Sequence, residues 1–297
     1  MGWAPLIIAV APNGARKTHR DHAALPMTAD ELARDAKSCL AAGASMLHLH
    51  VRDGDGAHSL NVDLYRQAIQ AVRGAVGDDL VIQVTTEAVG RYSPDEQMAL
   101  VRDLRPEAAS VSLKELTADG EDKATDFYRW AYAEGIALQH ILYNPAEVAR
   151  LAYLVRSGAV AGERLSVLYV LGRYGDGQSQ PSDLLPFLDA AAQHELNPML
   201  WSVCAFGARE GAVALAALSL GGHVRVGFEN NMYLNDNTLS PDNAALVKQV
   251  ADGAHLLARP VSSAEQARRA MNDGGRGVRN GWEGTAHADR TRLGNTA

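Results

Sequence analysis

The stretch "MLHLHVRDGDGAHSL", residues 46–60, joins a short apolar run to a glycine-rich turn and carries two histidines one residue apart. Side chains of a β-strand alternate between its two faces, so His48 and His50 point one way while Leu47 and Leu49 point the other. A single interior histidine is usually a hydrogen-bonded core residue. Two histidines on one face of a buried strand indicate either part of a metal site or an unusual polar core.

The run at 46–52 is one of eight apolar runs that alternate with longer Ala- and Leu-rich segments. The predicted strands are 6–12, 46–52, 80–86, 109–113, 137–143, 165–171, 199–206 and 224–230. The predicted helices are 28–42, 61–74, 94–104, 122–134, 145–157, 182–193, 208–220 and 241–256. Eight strand–helix alternations imply parallel strands joined by right-handed crossovers. A (β/α)8 TIM barrel accounts for this count, and an open doubly wound sheet is the alternative.

The composition is that of an ordinary globular enzyme. The chain has 297 residues, 47% of them hydrophobic and 21% charged, with a net charge of −7 that favours neither nucleic acid nor an anionic membrane as partner. Cys39 and Cys204 are too few for a disulfide framework, and no apolar run approaches the roughly 20 residues of a membrane span. We therefore expect a cytoplasmic protein with one barrel domain over 1–273 and a polar tail over 274–297.

Polar side chains gather on the inward face of the predicted barrel, near the C-terminal ends of its strands. On the last strand Val224 and Val226 form an apolar set, so Arg225 and Glu229 look inward. Further inward polar residues on the other strands are Asn13, Gln83, Thr85, Glu87, Ser110 and Ser112. Active sites of such barrels lie at this face, which is where we expect the chemistry.

The two histidines gain a partner from this arrangement. Strands two and eight both flank strand one in a closed barrel, so their backbones lie roughly 10 Å apart, a gap that His and Glu side chains close. His48, His50 and Glu229 then form a His2Glu set, the composition of a catalytic zinc site with an open position, and Fe(II) or Mn(II) accept the same ligands. The alternative pairs Glu229 with Arg225 and leaves the histidines to backbone carbonyls.

Four motifs, "VAPNGARKT", "HLHVRDGDG", "IQVTTE" and "VRVGFENN", occur in this order along nearly the whole chain. This pattern resembles the β-keto acid cleavage enzymes, the family of 3-keto-5-aminohexanoate cleavage enzyme. The resemblance implies a (β/α)8 barrel that binds one zinc per subunit through His48, His50 and Glu229, and a homotetramer. It also implies an acyltransferase that converts a β-keto acid and acetyl-CoA into acetoacetate and a new acyl-CoA.

The resemblance also assigns roles to inward residues. Arg225 matches a position in the catalytic centre, where a guanidinium suits developing negative charge but is a poor base. Thr85 and Ser112 are candidates to hydrogen-bond the substrate carboxylate or keto group, or they are small polar residues that fill a barrel layer. Asn13 and Tyr143 complete the predicted substrate site.

One departure from the family concerns the general base. An aspartate follows the metal-binding glutamate in the characterised aminohexanoate enzymes, whereas this chain has Asn230. An asparagine side chain cannot take a proton, so Glu87 becomes the candidate base, unless the substrate binds already enolised. Arg225, Glu87 and Asn230 are therefore the predicted catalytic residues.

A second departure concerns the distal end of the substrate. Arg16 stands where those enzymes have a glutamate that contacts the substrate's amino group, and His140 and Tyr143 stand where they carry another acidic contact. A cationic substrate is therefore disfavoured, and Arg16 predicts a β-keto diacid. The alternatives are that Arg16 pairs with Glu87 or Asp21, or that it contacts the CoA phosphates.

The loop at 172–183, "GRYGDGQSQPSD", is long for a strand–helix connection and is either a lid or a flexible surface loop.

Two other functions remain as alternatives. A metal-dependent amidohydrolase-like hydrolase is also a barrel with an HxH pair. In that class the pair lies on the first strand, and the site also needs an aspartate on the last strand. A non-catalytic binding protein would have little reason to keep a buried cluster of metal ligands.

Overall fold

The computed structural model describes residues 2–175 and 179–272. Eight parallel strands close into a barrel: β1 (Ile8–Val10), β2 (Met46–Leu49), β3 (Val81–Thr85), β4 (Ala108–Ser112), β5 (Ala137–Leu142), β6 (Ser166–Leu171), β7 (Leu200–Ala205) and β8 (His223–Val226). Strand β1 pairs with β2 on one side and with β8 on the other. The (β/α)8 barrel is confirmed and the open sheet is excluded. The predicted polar tail, 274–297, lies outside the described residues.

Helices surround the barrel in the predicted order: α1 (Ala29–Ala42), α2 (Val62–Val76), α3 (Pro94–Leu104), α4 (Glu121–Ala133), α5 (Pro145–Arg156), α6 (Leu185–Gln193), α7 (Glu210–Ser219) and α8 (Asn243–Leu256). A short helix (Leu113–Leu116) and a C-terminal helix α9 (Ala264–Asn272) were not predicted, and a 3-10 turn (Pro181–Leu184) occupies the start of the predicted helix 182–193. None of the helices in the described part of the chain has the length and apolarity that a membrane span requires.

Local sequence explains where several helices begin and end. The Thr28 hydroxyl accepts the Glu31 N–H while the Glu31 carboxylate accepts the Thr28 N–H, and Ser93 and Glu96 form the same reciprocal pair at the start of α3. These capping boxes satisfy backbone donors that a helix leaves unpaired. Gly43 ends α1 with a φ of 110°, in the left-handed region that glycine adopts without strain.

The two ends of the barrel interior differ in polarity. At the N-terminal mouth, Ala267 and Met271 of α9 pack against Met46 and Val81, the inward apolar residues at the start of β2 and β3. The C-terminal helix thus plugs this mouth. The chemistry is expected at the opposite mouth, where the C-terminal ends of the strands meet.

A layer of paired polar side chains lies above the apolar plug. Gln83 Nε2 donates to Gln139 Oε1 (3.3 Å), and Gln139 Nε2 donates to the hydroxyls of Ser166 and Ser202 (3.4 Å each). A cavity of about 10 Å³ adjoins this layer below Arg225. Buried polar groups cost little when they are hydrogen-bonded, so this layer is a stable floor for the groups above it.

Two predicted strands end three or more residues earlier than the sequence suggested. Strand β2 ends at Leu49, and Val51–Arg52 instead pairs antiparallel with His58–Ser59 in a small hairpin. Strand β8 ends at Val226, because Gly227 has a φ of 139° and the chain then enters a turn over 227–230. Glu229 therefore reaches the barrel interior from a turn rather than from the strand itself.

Gly227 makes this turn possible, and we expect Gly227→Ala to lower the free energy of unfolding by about 3 kcal/mol or more. Left-handed backbone costs about 1–3 kcal/mol for a non-glycine residue, and an added Cβ would lie 2.4 Å from the Ala11 carbonyl oxygen. Urea denaturation measures the loss. Gly54→Ala is the control, because a Cβ there meets nothing within 4 Å. Equal unfolding midpoints for the two variants would contradict this explanation.

Candidate metal centre and active site

Three potential metal ligands converge at the C-terminal mouth. His48 lies near the end of β2, His50 follows that strand, and Glu229 lies in the turn after β8. The Nε2 atoms of the two histidines are 3.1 Å apart, and Glu229 Oε2 lies 3.7 Å from that of His48 and 3.4 Å from that of His50. All three side chains are buried.

These spacings fit a metal ion. In a tetrahedral zinc site with bonds of about 2.0–2.1 Å, neighbouring ligand atoms lie about 3.3 Å apart. The triangle formed by His48, His50 and Glu229 has sides of 3.1, 3.4 and 3.7 Å. Two imidazoles and one carboxylate leave a fourth position for a substrate oxygen, as in catalytic zinc sites, and Fe(II) and Mn(II) accept the same donors.

The polar layer of the barrel orients the first histidine. Gln83 Oε1 accepts a hydrogen bond from Nδ1 of His48 (2.9 Å), so the lone pair of its Nε2 faces the ligand triangle. Burial, together with the Arg225 charge, holds the pKa of His48 well below its ordinary value. The ring is therefore neutral, the form that binds metals.

Glu229 takes part in both arrangements that the sequence left open, the pair with Arg225 and the cluster with the two histidines. Its Oε1 accepts a hydrogen bond from Arg225 Nη2 (3.3 Å), while its Oε2 faces the histidines and has no hydrogen-bond partner in the described part of the chain. Burial alone would raise the pKa of Glu229, but Arg225 and His50 hold it well below its usual range. The group is an ionised carboxylate with one oxygen for the arginine and one for a metal.

Arg225 stays charged in a buried position. Its side chain is 5% exposed, and Nη2 also contacts the Cys204 sulfur at 3.4 Å. Burial alone would lower the pKa of Arg225, but Cys204 and Glu229 raise it above its ordinary value. A fixed cation thus lies directly beside the ligand triangle.

A cavity of about 230 Å³ opens above this cluster. Of the residues predicted from the sequence, it is lined by His48, Glu229, Arg225, Thr85, Glu87, Arg16 and Tyr143. Drug-sized ligands occupy pockets of about 300–1,000 Å³, so this space suits a smaller organic acid.

Thr85 and Glu87 lie together at the end of β3. Thr85 Oγ accepts the Glu87 N–H (3.1 Å), which leaves its own hydroxyl proton free to donate. Glu87 Oε2 lies 3.8 Å from His50 Nδ1. Burial raises the pKa of Glu87, an effect that His50 opposes and Glu229 strengthens. A carboxyl group with a raised pKa beside the cavity has the properties of a general base.

Besides His50, three predicted residues lie near the cavity without lining it. Asn13 Nδ2 donates to the His50 carbonyl oxygen (3.4 Å), and Ser112 Oγ accepts the Glu115 N–H (3.3 Å). Asn230 is buried, and neither of its side-chain polar atoms has a hydrogen-bond partner among the described residues. Contact of these three side chains with substrate stays a prediction.

His140 does not belong to the site. It lies on the outer face of β5, where its ring is 5.1 Å from that of Tyr128 in α4, and burial lowers its pKa to about 4. Strand side chains alternate, so His140 and Tyr143, three residues apart, face opposite sides. Tyr143 lines the cavity, and the placement of His140 beside it was wrong.

Two ionisable side chains that the sequence did not single out hold the turn of Glu229. Lys17 Nζ donates to the carbonyl oxygens of Phe228 (2.7 Å) and Glu229 (3.2 Å). Glu210 Oε1 accepts the Gly227 N–H (3.1 Å), and burial raises the pKa of Glu210 to about 8. Ionisable residues are common at the start of helices and in loops, so only the burial of Lys17 and Glu210 in the folded chain distinguishes them from the others.

Further unpredicted residues line the cavity. Tyr174 and Phe206 cover one side, and Glu115 lies on another. Glu115 Oε2 accepts hydrogen bonds from the Ala88 N–H (3.1 Å) and from Gln97 Nε2 (2.7 Å), so it anchors the loop that follows β3. None of these side chains belongs to a periodic pattern that would have identified it.

Arg16 lies at the rim of the cavity with its guanidinium carbon 4.9 Å from the centroid of the Tyr174 ring. It makes no ion pair within residues 2–175 and 179–272. Asp21 instead accepts a backbone N–H in its own turn (2.8 Å), and Glu87 faces His50. Neither proposed carboxylate partner forms a close ion pair with Arg16 among the described residues, although the Arg16 charge is near enough to lower the pKa of Glu87.

Comparison with known proteins places these residues in a family context. A family model described as beta-keto acid cleavage enzyme matches residues 5–272. A 3-keto-5-aminohexanoate cleavage enzyme from Acetoanaerobium sticklandii is 29% identical, covering 90% of this chain and 97% of the relative. A 3-oxoadipate:acetyl-CoA acetyltransferase from Cupriavidus necator is 30% identical, covering 89% and 93%. The solved apo structure of ObcA shares the fold, with a TM-score of 0.67 and 17% identity, covering 84% of this chain and 65% of that one.

Proposed function

This chain belongs to the β-keto acid cleavage enzyme family, and from that premise we propose that it condenses a β-keto acid with acetyl-CoA. The products are acetoacetate and a new acyl-CoA: R–CO–CH₂–COO⁻ and CH₃–CO–S-CoA give R–CO–S-CoA and CH₃–CO–CH₂–COO⁻. The chain is an acyltransferase-type enzyme, like the relative named an acetyl-CoA acetyltransferase.

One observation carries this proposal. The buried triangle of His48, His50 and Glu229 lies beside the fixed charge of Arg225, and two of its members, His48 and Glu229, line a cavity sized for a small acid. We propose that the triangle holds one zinc ion per subunit. A divalent ion bound there supplies Lewis-acid polarisation of the substrate's keto group.

The chain's own residues account for the remaining needs of the reaction. Arg225 offers a permanent positive charge to the anionic oxygen that develops when the substrate loses its proton. Glu87 is the proposed base, because Asn230 cannot take a proton. Thr85, with a free hydroxyl proton, is a proposed donor to the substrate carboxylate or keto oxygen, and Tyr143 closes the same side of the cavity. Asn13 and Ser112 remain proposed substrate-site residues. We propose that they act indirectly, by hydrogen-bonding to the backbone of the loops beside the cavity.

The distal group of the substrate is proposed from Arg16. Its guanidinium makes no close ion pair among the described residues and lies at the cavity rim, and a charge-assisted contact to a carboxylate is worth about 1.5–3 kcal/mol. The relatives' names include an amino acid derivative and a diacid, at nearly equal identity to this chain. Arg16 therefore supports a β-keto diacid as the substrate class.

We expect the wild-type enzyme to prefer β-ketoadipate over 3-keto-5-aminohexanoate by about tenfold or more in kcat/KM, since ~1.4 kcal/mol is a factor of ten. Arg16→Glu should reverse this preference, measured with both substrates at saturating acetyl-CoA. Arg20→Glu, an exposed position of the same loop, is the control. A wild-type preference for the amine, or a ratio that Arg16→Glu leaves unchanged, would contradict the role of Arg16.

A panel of β-keto acids tests the reaction itself. The metal-loaded enzyme is incubated with each acid and acetyl-CoA, and acetoacetate and the new acyl-CoA are quantified. We expect the two products in equal amounts and only when acetyl-CoA is present. Hydrolysis without acetyl-CoA would favour the amidohydrolase-like alternative, and absence of acetoacetate from every acid would refute the proposed reaction.

Two broader properties are also proposed, the oligomeric state from the family resemblance and the location from the small number of cysteines. We expect a homotetramer, which light scattering tests, and a cytoplasmic location, which cell fractionation tests. The loop at 172–183 contributes Tyr174 to the cavity wall.

A further inference from the structure

Tyr174 is a cavity residue for which the proposed mechanism has no role. Its ring packs edge-on against Phe206, with the ring centroids 4.8 Å apart, and carries the Arg16 guanidinium carbon 4.9 Å from its centroid. Tyr174, Phe206 and Arg16 all line the cavity. The ring is thus held on one side by an aromatic neighbour and supports a cation on the other.

The hydroxyl of the same side chain points toward the metal-ligand cluster. A Cβ placed on Gly14 would lie 3.1 Å from Tyr174 Oη and 2.5 Å from Glu229 Cγ. The hydroxyl and the Glu229 side chain therefore approach each other across the space that a side chain at position 14 would fill. Gly14 has a φ of 60°, and its lack of a side chain permits this approach.

The hydroxyl is also a donor without an acceptor. Tyr174 Oη is buried and has no hydrogen-bond partner in the described part of the chain. Burial raises the pKa of Tyr174, and Glu229 and Glu87 raise it further, so the phenol keeps its proton at neutral pH. A buried donor that lacks a partner is costly, and a ligand oxygen in the cavity removes that cost.

We propose that Tyr174 serves the reaction with both parts of its side chain. The hydroxyl donates a hydrogen bond to an oxygen of the bound β-keto acid, and the ring holds Arg16 in position to contact the distal end of that substrate. This inference rests on the proposed function. It assigns one residue to both the reacting end and the distal end of the substrate.

Two substitutions separate the two parts. Tyr174→Phe removes the hydroxyl and keeps the ring. We expect it to lower kcat about 10- to 100-fold, the range for loss of a hydrogen bond to a charged oxygen. It should weaken acetoacetate binding about tenfold in calorimetry without CoA, while the ratio of kcat/KM for β-ketoadipate and 3-keto-5-aminohexanoate stays within twofold. Tyr174→Leu should show the same losses and also shift that ratio at least fivefold.

The matched control is Tyr128→Phe. Tyr128 also has a buried hydroxyl without a partner among the described residues, but it packs against His140 outside the barrel. We expect wild-type kcat and acetoacetate affinity for this variant, and wild-type metal content for all three variants. Acetoacetate is the probe because it is a β-keto acid that cannot turn over without CoA.

Each outcome is decisive. If Tyr174→Phe has the acetoacetate affinity and the kcat of the wild type, the hydroxyl donates no hydrogen bond to the substrate, and its proposed role is refuted. If Tyr174→Leu keeps the wild-type substrate ratio, the ring does not position Arg16. If the wild-type enzyme neither binds acetoacetate nor forms it, the proposed function fails and this inference fails with it.

Discussion

His48→Ala is expected to lose its bound metal almost completely and to lower kcat by about 10³-fold or more. The substitution removes one of the three proposed ligands, and Lewis-acid stabilisation by a bound ion is worth several kcal/mol. His50 and Glu229 would remain, with His50 Nε2 and Glu229 Oε2 3.4 Å apart. The ion would lack His48, the proposed ligand that Gln83 orients. Elemental analysis of dialysed protein measures the metal, and the acetoacetate assay measures kcat.

The barrel should survive this change. His48 is buried, and its loss leaves Gln83 Oε1 without a partner, at a cost of about 1–3 kcal/mol. Circular dichroism verifies the fold. His255→Ala, at an exposed position near the end of α8, is the control and should retain wild-type metal. Stoichiometric metal in folded His48→Ala would refute the ligand assignment.

The architecture was predictable because its signals are local and periodic. Eight apolar runs gave strands within a few residues of those observed, and capping pairs such as Thr28 with Glu31 fixed helix starts. Two strand ends were misplaced by three or more residues because the alternation of apolar residues continues past them, to Val51 and to Phe228. At β8 the glycine at 227 ends the strand through its backbone conformation, which an apolar pattern does not record.

The centre of the site was predictable for a related reason. Side-chain alternation placed His48 and Arg225 on the inward face, and barrel closure brought strands one, two and eight together. His50 and Glu229 lie beyond the observed strand ends, so alternation predicted their inward position although the strands on which it relied are shorter. The same rule, applied to the fifth strand, would have excluded His140.

The outer wall of the site was not predictable, since it depends on the paths of loops. Tyr174 reaches the cavity from the loop after β6, and Glu115 does so from a short helix after β4. In the sequence, Glu210 is an ordinary acidic residue in the first turn of a helix. In the structure it is 2% exposed and accepts the N–H of Gly227. Burial of an ionisable side chain is a tertiary property.

Arg225→Met is expected to lower kcat about 10²–10³-fold with little change in KM. The side chain lies beside the ligand triangle, and loss of one donor to a developing oxyanion has about this effect. Methionine has a similar length and fills the same space without the charge. Steady-state kinetics across the β-keto acid panel separates kcat from KM.

Arg225 also pairs with Glu229, so a lost charge has two possible consequences that must be told apart. If the arginine acts on the substrate, Arg225→Met should keep its metal and lose turnover. Arg225→Lys keeps the charge but not the planar fork, and should recover only part of kcat. A rise in KM with kcat intact would identify Arg225 as a residue that binds the ground state, because an interaction made equally in both states does not change turnover.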